Sequence, residues 1–446
     1  MNFNNIHKIY FIGIGGIGMS NLARYFKHFG KDVSGYDKTR TDLTKELENE
    51  GIHITYEDSL ETLPELSLED SLVVFTPAIP ADHKQKNELI RRGFQLYKRS
   101  EVLGLITQNT YCLAVSGTHG KTSTTSLLGH ILHENKVEST AFLGGICENY
   151  NSNLILGGDK ISVVEADEFD RSFLRLSPDA IVITSMDADH LDIYGEHDEL
   201  KKSFQEFVDK LPENGILITK KGLPIQGLTY AVEETADFEA QNVRVENGAF
   251  LYDVRYKDMI YPDFELHMPG RHNIENALAA TAMALQAGLN FDQIKSGIKT
   301  FKGIKRRFSI HYNKEVGYVD DYAHHPTEID AIIDGVRELF PNKKILGVFQ
   351  PHLFSRTRDF ADDFAQSLSQ LDELILMDIY PARELPIEGI TSEWLLSKIN
   401  LKNKELGALE NTYDKIKSKN FDVLLTIGAG NIDTLVQPIT NWLETR

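Results

Sequence analysis

Short apolar runs alternate with stretches of helical period along most of the chain. Lys8 to Ile14 (KIYFIGI) predicts a buried strand, followed by a helix to Phe29. Asp32 to Tyr36 predicts a second strand, 42–50 a helix, His53 to Tyr56 a strand, and Ser71 to Thr76 another after a helical turn near Ser59. A helix follows from Lys84 to Arg92. Tyr111 to Val115 (YCLAV), Ile161 to Val164, Ala180 to Thr184 and 215–219 (GILIT) continue the strands, with a helix from Ser126 to His133. Several short strands between Leu228 and Met268 cover a face or edge. An alanine-rich helix begins near Asn273. Strands at Val316 to Val319, Ile345 to Phe349, Leu374 to Met377 and Val423 to Ile427 complete the pattern. Strands that alternate with helices make parallel sheets the economical arrangement.

Ligands bind at the carboxyl ends of such strands, and the polar residues gather there. Gly13, Gly15 and Gly18 spell G-x-G-x-x-G after the first strand, with Asp37 ending the next. This is a dinucleotide-type fingerprint with Asp37 placed for a ribose hydroxyl, though glycines that only allow tight packing give the same spelling. A second glycine turn, SGTHGKTS (116–123), joins a strand to a helix. Gly117 and Gly120 lack a Cβ, so backbone N–H groups can close on phosphate oxygens. Lys121 would reach the β- and γ-phosphates, and the Thr122 hydroxyl a magnesium ion. The spacing is one glycine short of the standard phosphate loop, with Val115 in the first glycine's place.

Glu165, Asp167 and Glu168 end one strand. Asp187, Asp189, His190 and Asp192 follow another. An acid beside a phosphate loop suits a magnesium ligand, and a solvated acidic turn is the alternative. His272, Asn273 and Asn276 gather at a helix start; Asn273 reads as an N-cap, or His272 and Asn276 reach a base. The basic stretch FKGIKRRF (301–308) reads as an inter-domain joint, and an arginine there could close on an anion. DDYAHHPTEI (320–329) is a site-like turn, in which His324 and His325 are adjacent and ill-suited to share one metal ion. His352, Arg356 and Arg358 follow one later strand, Arg383 and Glu384 another, and a Gly-Ala-Gly turn the last.

The length, 446 residues, suits about three domains. The net charge of −19, from 47 basic and 66 acidic residues, argues against a nucleic-acid partner. Cys112 and Cys147 make no disulfide framework, and Cys112 reads as core packing. Neither a charged-then-apolar leader nor an apolar run of ~18 residues is present, which predicts a cytoplasmic protein without membrane insertion.

Together the motifs FIGIGGIGMS, SGTHGKTS, EADE, DADHLD, GRHNIEN, RRF, DDYAHHPTE, QPH-x-x-SRTRD and GAGN resemble the Mur ligase family over nearly the whole chain. The resemblance implies an α/β fold of three domains: a Rossmann-like N-terminal domain (1–107) for the UDP-sugar, a central P-loop-type ATPase domain (108–303), and a Rossmann-like C-terminal domain (304–446) that binds the amino acid and closes on ATP. It moves the first glycine turn, with Gly13, Gly15, Gly16, Gly18 and Asp37, from NAD to UDP. It implies ATP on Gly117, Thr118, His119, Gly120, Lys121, Thr122 and Ser123, with His272 and Asn276 on the adenine side. Mg2+ would sit on Thr122, Glu165 and His190. Arg307, Asp321, Tyr322, His324 and Arg356 match residues lining the cleft between the central and C-terminal domains. Some members carry arginine where Leu353 stands. Several carry a carbamylated lysine a short way after the Asp-His pair, where this chain has Phe204 and Gln205, so a bridging carbamate is not expected.

Within the family the motifs fit best the reaction that joins L-alanine to the lactyl carboxylate of UDP-N-acetylmuramate, through an acyl phosphate, in peptidoglycan precursor and cell-wall synthesis. Lys121, Glu165, His190 and Arg307 would serve the phosphoryl transfer, and Asp321 or His324 the amine. Either a monomer or a homodimer fits. The related ligase that recycles a muropeptide tripeptide is the nearest alternative. An NAD-dependent dehydrogenase or a non-catalytic nucleotide sensor leaves the second loop or the acid–histidine cluster unexplained.

Overall fold

In the computed structural model, which describes residues 3–187, 197–246, 248–382 and 384–446, the described residues form three sheets. The first holds β1 (Lys8–Ile12), β2 (Asp32–Tyr36), β3 (His53–Thr55), β4 (Ser71–Phe75) and β5 (Leu96–Lys98), in the order β3-β2-β1-β4-β5. All its pairs are parallel. Ile12 lies opposite both Tyr36 and Phe75, so Gly13, Asp37 and Thr76 leave the sheet at one level.

The second sheet has ten strands: β6 (Tyr111–Ser116), β7 (Ser139–Cys147), β8 (Ser152–Leu156), β9 (Ile161–Ala166), β10 (Ala180–Ile183), β11 (Ile216–Lys220), β12 (Leu228–Val232), β13 (Phe238–Glu246), β14 (Ala249–Tyr256) and β15 (Met259–Leu266). Their order is β15-β14-β13-β12-β11-β10-β6-β9-β7-β8. β6 is sandwiched in parallel between β9 and β10, with Ser116 level with Ala166 and Ile183. That register sends Gly117, Asp167 and Thr184 out of the same edge. β6, buried on both sides, is a continuous apolar run, as a parallel strand covered by helices must be.

The third sheet holds β16 (Ser309–Asn313), β17 (Gly317–Asp321), β18 (Ile345–Phe349), β19 (Glu373–Met377), β20 (Lys404–Gly407) and β21 (Val423–Ile427), in the order β16-β17-β21-β18-β19-β20. β16 is antiparallel to β17 and the other pairs are parallel. Asp321, Ile427 and Phe349 are level.

The first two sheets share one apolar core, in which Phe11, Met19, Leu22 and Phe26 meet Phe142, Leu154 and Val164. Accordingly the chain gathers into two compact units. One is Met1–Gln241 with Asp253–Phe264 and Glu275–Phe301; the other is Asn242–Tyr252, Glu265–Ile274 and Lys302–Arg446.

The observed elements depart from the predicted ones at informative places. The helix expected from Ser126 begins at Lys121, because Gly120 takes the left-handed backbone of its N-cap (φ +81°) and the Ser/Thr-rich first turns are buried rather than free to unwind. The helix expected from Asn273 runs from Arg271 to Gln286. Asn273 is therefore not an N-cap, and its amide donates back to the Pro269 carbonyl at 2.7 Å. β17 extends through Asp320 and Asp321, which the sequence placed in a turn. Both acids tolerate burial there because arginine, threonine and backbone N–H groups hold them.

Candidate active site

The turn 117–120 is held by the residues that follow β10. The Thr184 hydroxyl donates to Ser116 O at 3.1 Å and also to His119 O. His119 N donates to Ser185 Oγ at 2.7 Å, and the Thr118 and Ser185 hydroxyls pair at 2.9 Å. The end of β10 thus braces the loop. Glycine is required at both corners. Gly117 has φ +132°, and a Cβ there would lie 2.2 Å from Thr184 Oγ1; at Gly120 it would lie 2.5 Å from Asn276 Oδ1. Asn276 also accepts from Thr124 Oγ1 at 3.3 Å, so it packs on the first turn of the loop's helix.

Lys121 folds back over this loop. Its ammonium donates to Gly117 O at 2.6 Å and to both Glu168 carboxylate oxygens at 2.9 Å. Burial opposes its charge, but Glu168 and Asp167 outweigh burial and raise its pKa. Glu168 is wholly buried, which pushes its carboxyl up against the pull of Lys121. Beside them, the Thr122 hydroxyl donates to Glu165 Oε2 at 3.3 Å, and Gly144 N donates to Glu165 Oε1 at 2.7 Å. Burial raises the Glu165 pKa as well, with the Gly144 bond and Lys121 opposing it. A hydroxyl and a carboxylate paired at a phosphate-type loop are the hard oxygen donors magnesium takes. His190, the third residue expected on the metal, lies outside the described residues, as do Asp189, Asp192 and Arg383.

At the first glycine turn, Gly13 has φ +90°, and a Cβ there would meet Thr76 Cγ2 at 2.4 Å. Asp37 accepts from Gly15 N at 2.7 Å and from Thr39 N at 3.1 Å, so its carboxylate fixes the turn. Arg99 lies across Gly18, where a Cβ would be 2.6 Å from Arg99 Cδ. A cavity of about 220 Å³ is bounded by Ile17, Gly18 and Arg99 on one side and Leu143, Gly144 and Glu165 on the other.

In the C-terminal unit the two arginines of the basic stretch part company. Arg306, with φ +63°, donates to Asp320 at 3.2 Å and to the Gly428 carbonyl, locking the turn. Arg307 lies 3.7 Å from Glu328 and, with Arg306, over the Tyr322 ring. Asp321 accepts from Phe308 N and Ala323 N, both at 2.7 Å, and burial pushes its carboxyl up to about 6. His324 Nδ1 lies 3.0 Å from Tyr322 O, and its ring stands 6.0 Å from that of His352. Burial holds the His324 imidazole below the usual range, against the attraction of Glu328; burial also lowers His352, to about 4. His325 is the N-cap of the helix Pro326–Leu339, which is its structural use. Glu384 holds Ser355 N at 3.0 Å at the start of the short helix carrying Arg356 and Arg358. Leu353, before that helix, has φ +72°.

Three family models match this chain in sequence order: the Mur ligase family catalytic domain over residues 8–111, the Mur ligase middle domain over 115–284, and the Mur ligase glutamate ligase domain over 306–430. The chain belongs to the Mur ligase family. It is 53% identical over 446 residues, covering 99% of both chains, to the UDP-N-acetylmuramate–L-alanine ligase of Christiangramia forsetii. It is 54% identical over 448 residues, covering both chains in full, to the enzyme of that name from Flavobacterium psychrophilum. Among solved structures, the UDP-N-acetylmuramate-alanine ligase of Thermotoga maritima superposes with a TM-score of 0.82 at 26% identity, covering 98% of this chain and 100% of that one. A murein peptide ligase from Psychrobacter arcticus superposes with 0.67 at 22% identity, covering 98% of each, a likeness of fold alone.

The matched domains of this Mur ligase carry the three sheets, so the α/β, three-domain expectation holds. Several residues that build the site carried no legible signal. Thr184 and Ser185 brace the loop with hydroxyls that meet its backbone N–H and carbonyl groups, and Gly144 acts through its N–H alone. Glu168 could have been singled out by its place after β9, but only geometry separates it from Asp167 as the partner of Lys121.

Proposed function

We propose that this chain ligates L-alanine to the lactyl carboxylate of UDP-N-acetylmuramate, using ATP and passing through an acyl phosphate, in peptidoglycan precursor synthesis. The observation that carries the reading is the braced loop with Lys121 and Thr122 beside Glu168 and Glu165, in a chain about half identical, end to end, to ligases of this name. Residues 1–107 would hold the sugar nucleotide on Gly13, Gly15, Gly16, Gly18 and Asp37. Residues 108–303 would hold ATP on Gly117 to Ser123, with His272 and Asn276 toward its base. Residues 304–446 would take the amino acid, with Tyr322 and Arg356 in the binding surface.

A carboxylate is a poor acyl donor because its leaving group would be oxide. In the proposed sequence a carboxylate oxygen attacks the γ-phosphorus, the bond to the β-phosphate oxygen breaks, and ADP leaves. Lys121 and the loop N–H groups carry the charge that develops on the transferring group. Thr122, Glu165 and His190 would hold the Mg2+ ion, which when bound supplies Lewis-acid neutralisation of the phosphates. Arg307 adds a delocalised cation for the same charge. The alanine nitrogen then attacks the acyl carbon, and the bond to the phosphate oxygen breaks. The amine must lose a proton in that step. His324 fits that task better than Asp321: burial keeps it neutral, and its Nδ1 faces a carbonyl, so Nε2 carries the lone pair. Both Asp321 oxygens are already engaged by backbone N–H groups. The reaction's dependence on ATP makes the cytoplasm the proposed place of action; among the described residues no helix is long and apolar enough to cross a membrane.

The test is phosphate release from ATP with UDP-N-acetylmuramate and a panel of L-alanine, L-serine, glycine and the muropeptide tripeptide. Release with alanine and heavy-oxygen transfer from the labelled lactyl carboxylate into phosphate are expected. Release with the tripeptide alone, or phosphate free of label, would overturn the assignment.

A further inference from the structure

The glycine turn and the phosphoryl-transfer carboxylate lie on different sheets, yet one hairpin touches both. β7 and β8 pair antiparallel at the edge of the ten-stranded sheet. On β7, Gly144 N holds Glu165 Oε1 at 2.7 Å, and Leu143 O accepts from Asn21 Nδ2 at 3.4 Å. On β8, Asn153 is wholly buried and uses its side chain in both senses. Its amide donates to Ile17 O at 2.6 Å and to Ser20 Oγ at 2.9 Å. Its oxygen accepts from Arg24 Nη1 at 2.5 Å. Arg24 is in turn held by Glu46 at 3.0 Å and Glu50 at 2.7 Å. All of these partners lie in the first turns of the helix Ile17–His28, or on that helix's own neighbours. Tyr25 packs on Phe142 with ring centroids 5.3 Å apart.

Ile17 is the first residue of that helix, and its N-terminus is where a helix receives phosphate oxygens. The cavity of about 220 Å³ between Gly18 and Glu165 spans the gap that the hairpin bridges. From this geometry we infer that Asn153 is a positioning residue for the sugar nucleotide. By gripping the Ile17 carbonyl it fixes the helix start and glycine turn at a set distance from Glu165, which the same hairpin holds through Gly144. A nucleotide seated on the glycine turn then presents its acid at the phosphoryl-transfer carboxylate without further adjustment. Preorganisation of this kind matters because a misplacement of about 1 Å can cost about 10²-fold in rate.

The inference rests on the proposed reaction for its substrate, and the experiment separates the two. Asn153→Asp is nearly isosteric and keeps an acceptor for Arg24, but it replaces the donor facing Ile17 O with a second acceptor. The full-length variant should fold, bind UDP about tenfold more weakly by calorimetry, and show a raised KM for UDP-N-acetylmuramate with the KM for ATP unchanged. Ser20→Ala, which removes the second acceptor of the Asn153 amide and the Ser20 hydroxyl's own 2.9 Å bond to the Ile17 carbonyl but leaves the Asn153 bond to that carbonyl, should give the same pattern at smaller size. Should both KM values rise together, or only the melting temperature fall while UDP affinity holds, Asn153 is merely a packing residue and the inference fails. If Asn153→Asp does not fold, Ser20→Ala decides on the same two readouts. An inactive wild-type enzyme that still loses UDP affinity on Asn153→Asp would overturn the proposed reaction and leave the positioning role standing.

Discussion

Lys121 and Glu168 form an ion pair with both carboxylate oxygens 2.9 Å from the ammonium, and Glu168 has no exposure to solvent. A buried charge that loses its partner is costly, on the order of 3–5 kcal/mol. Lys121→Ala should therefore do two separable things. Phosphate release should fall by about 10²-fold or more, as a preorganised charge is lost. The unfolding midpoint in denaturant should also drop, and adding Glu168→Gln should recover part of that drop without recovering turnover. Near-normal turnover in the single variant would show the loop to be misassigned. An unrecovered midpoint in the double variant would show that the buried carboxylate was not the cause.

Gly144 offers a test of Glu165, the carboxylate proposed to hold the metal, and leaves every proposed ligand in place. A Cβ at position 144 would lie 2.3 Å from Glu165 Oε2, so Gly144→Ala must push that carboxylate aside. Disturbing a ligand's support typically lowers metal affinity 10–100-fold. The Mg2+ concentration for half-maximal phosphate release should rise by about tenfold. An unchanged Mg2+ dependence would remove Glu165 from the metal site.

His130, on the phosphate-loop helix, is buried between Tyr150 OH at 2.8 Å and Thr300 Oγ1 at 2.9 Å. Burial lowers its pKa from 6.5 to about 4. A lowered histidine contributes stability that is complete above pH 6.5 and is lost as pH falls through about 4. That contribution is about 3 kcal/mol. His130→Gln should flatten the acid side of the stability curve measured by denaturant unfolding between those limits. Parallel curves would mean that other groups govern acid sensitivity.

Asp321 gives the opposite sign. Its carboxyl is raised from 3.8 to about 6 by burial, so its contribution is complete below pH 3.8 and is lost as pH rises through about 6. Again about 3 kcal/mol is at stake. In Asp321→Asn the stability of the C-terminal unit should lose its fall between pH 4 and 7, followed by a probe in that unit such as Trp394 fluorescence. If the fall persists, Asp321 is not the group titrating.

The strands and both glycine turns could be read from the chain because their signals are local. Val/Ile runs, glycines at fixed offsets and acids at strand ends need no knowledge of distant residues. The start of the phosphate-loop helix was not legible. Its Lys-Thr-Ser-Thr-Thr turn has weak helical propensity and is held by burial and by Gly120. The β7–β8 hairpin was also missed, since Gly144 and Gly145 interrupt its apolar run. Its effect on Glu165 and Ile17 comes through one backbone N–H and one asparagine, neither of which has a pattern. The same limit applies at Arg306 and Arg307. Both were visible as unusual cations in an acidic chain, but only the structure assigns Arg306 to the turn through Asp320 and Gly428.

The placement of β21 between β17 and β18 has a consequence for how this protein is made. The third sheet lacks its middle until residues 423–427 have been synthesised. The first two sheets can close while the ribosome is still working, because β6 meets both its neighbours by residue 183. Between the synthesis of β18 and that of β21 the C-terminal third is left with two unpaired strand edges, a state open to aggregation and to chaperones. Substitutions that break β21 should therefore reduce soluble yield far more than similar changes in β20, which lies at the edge of the same sheet.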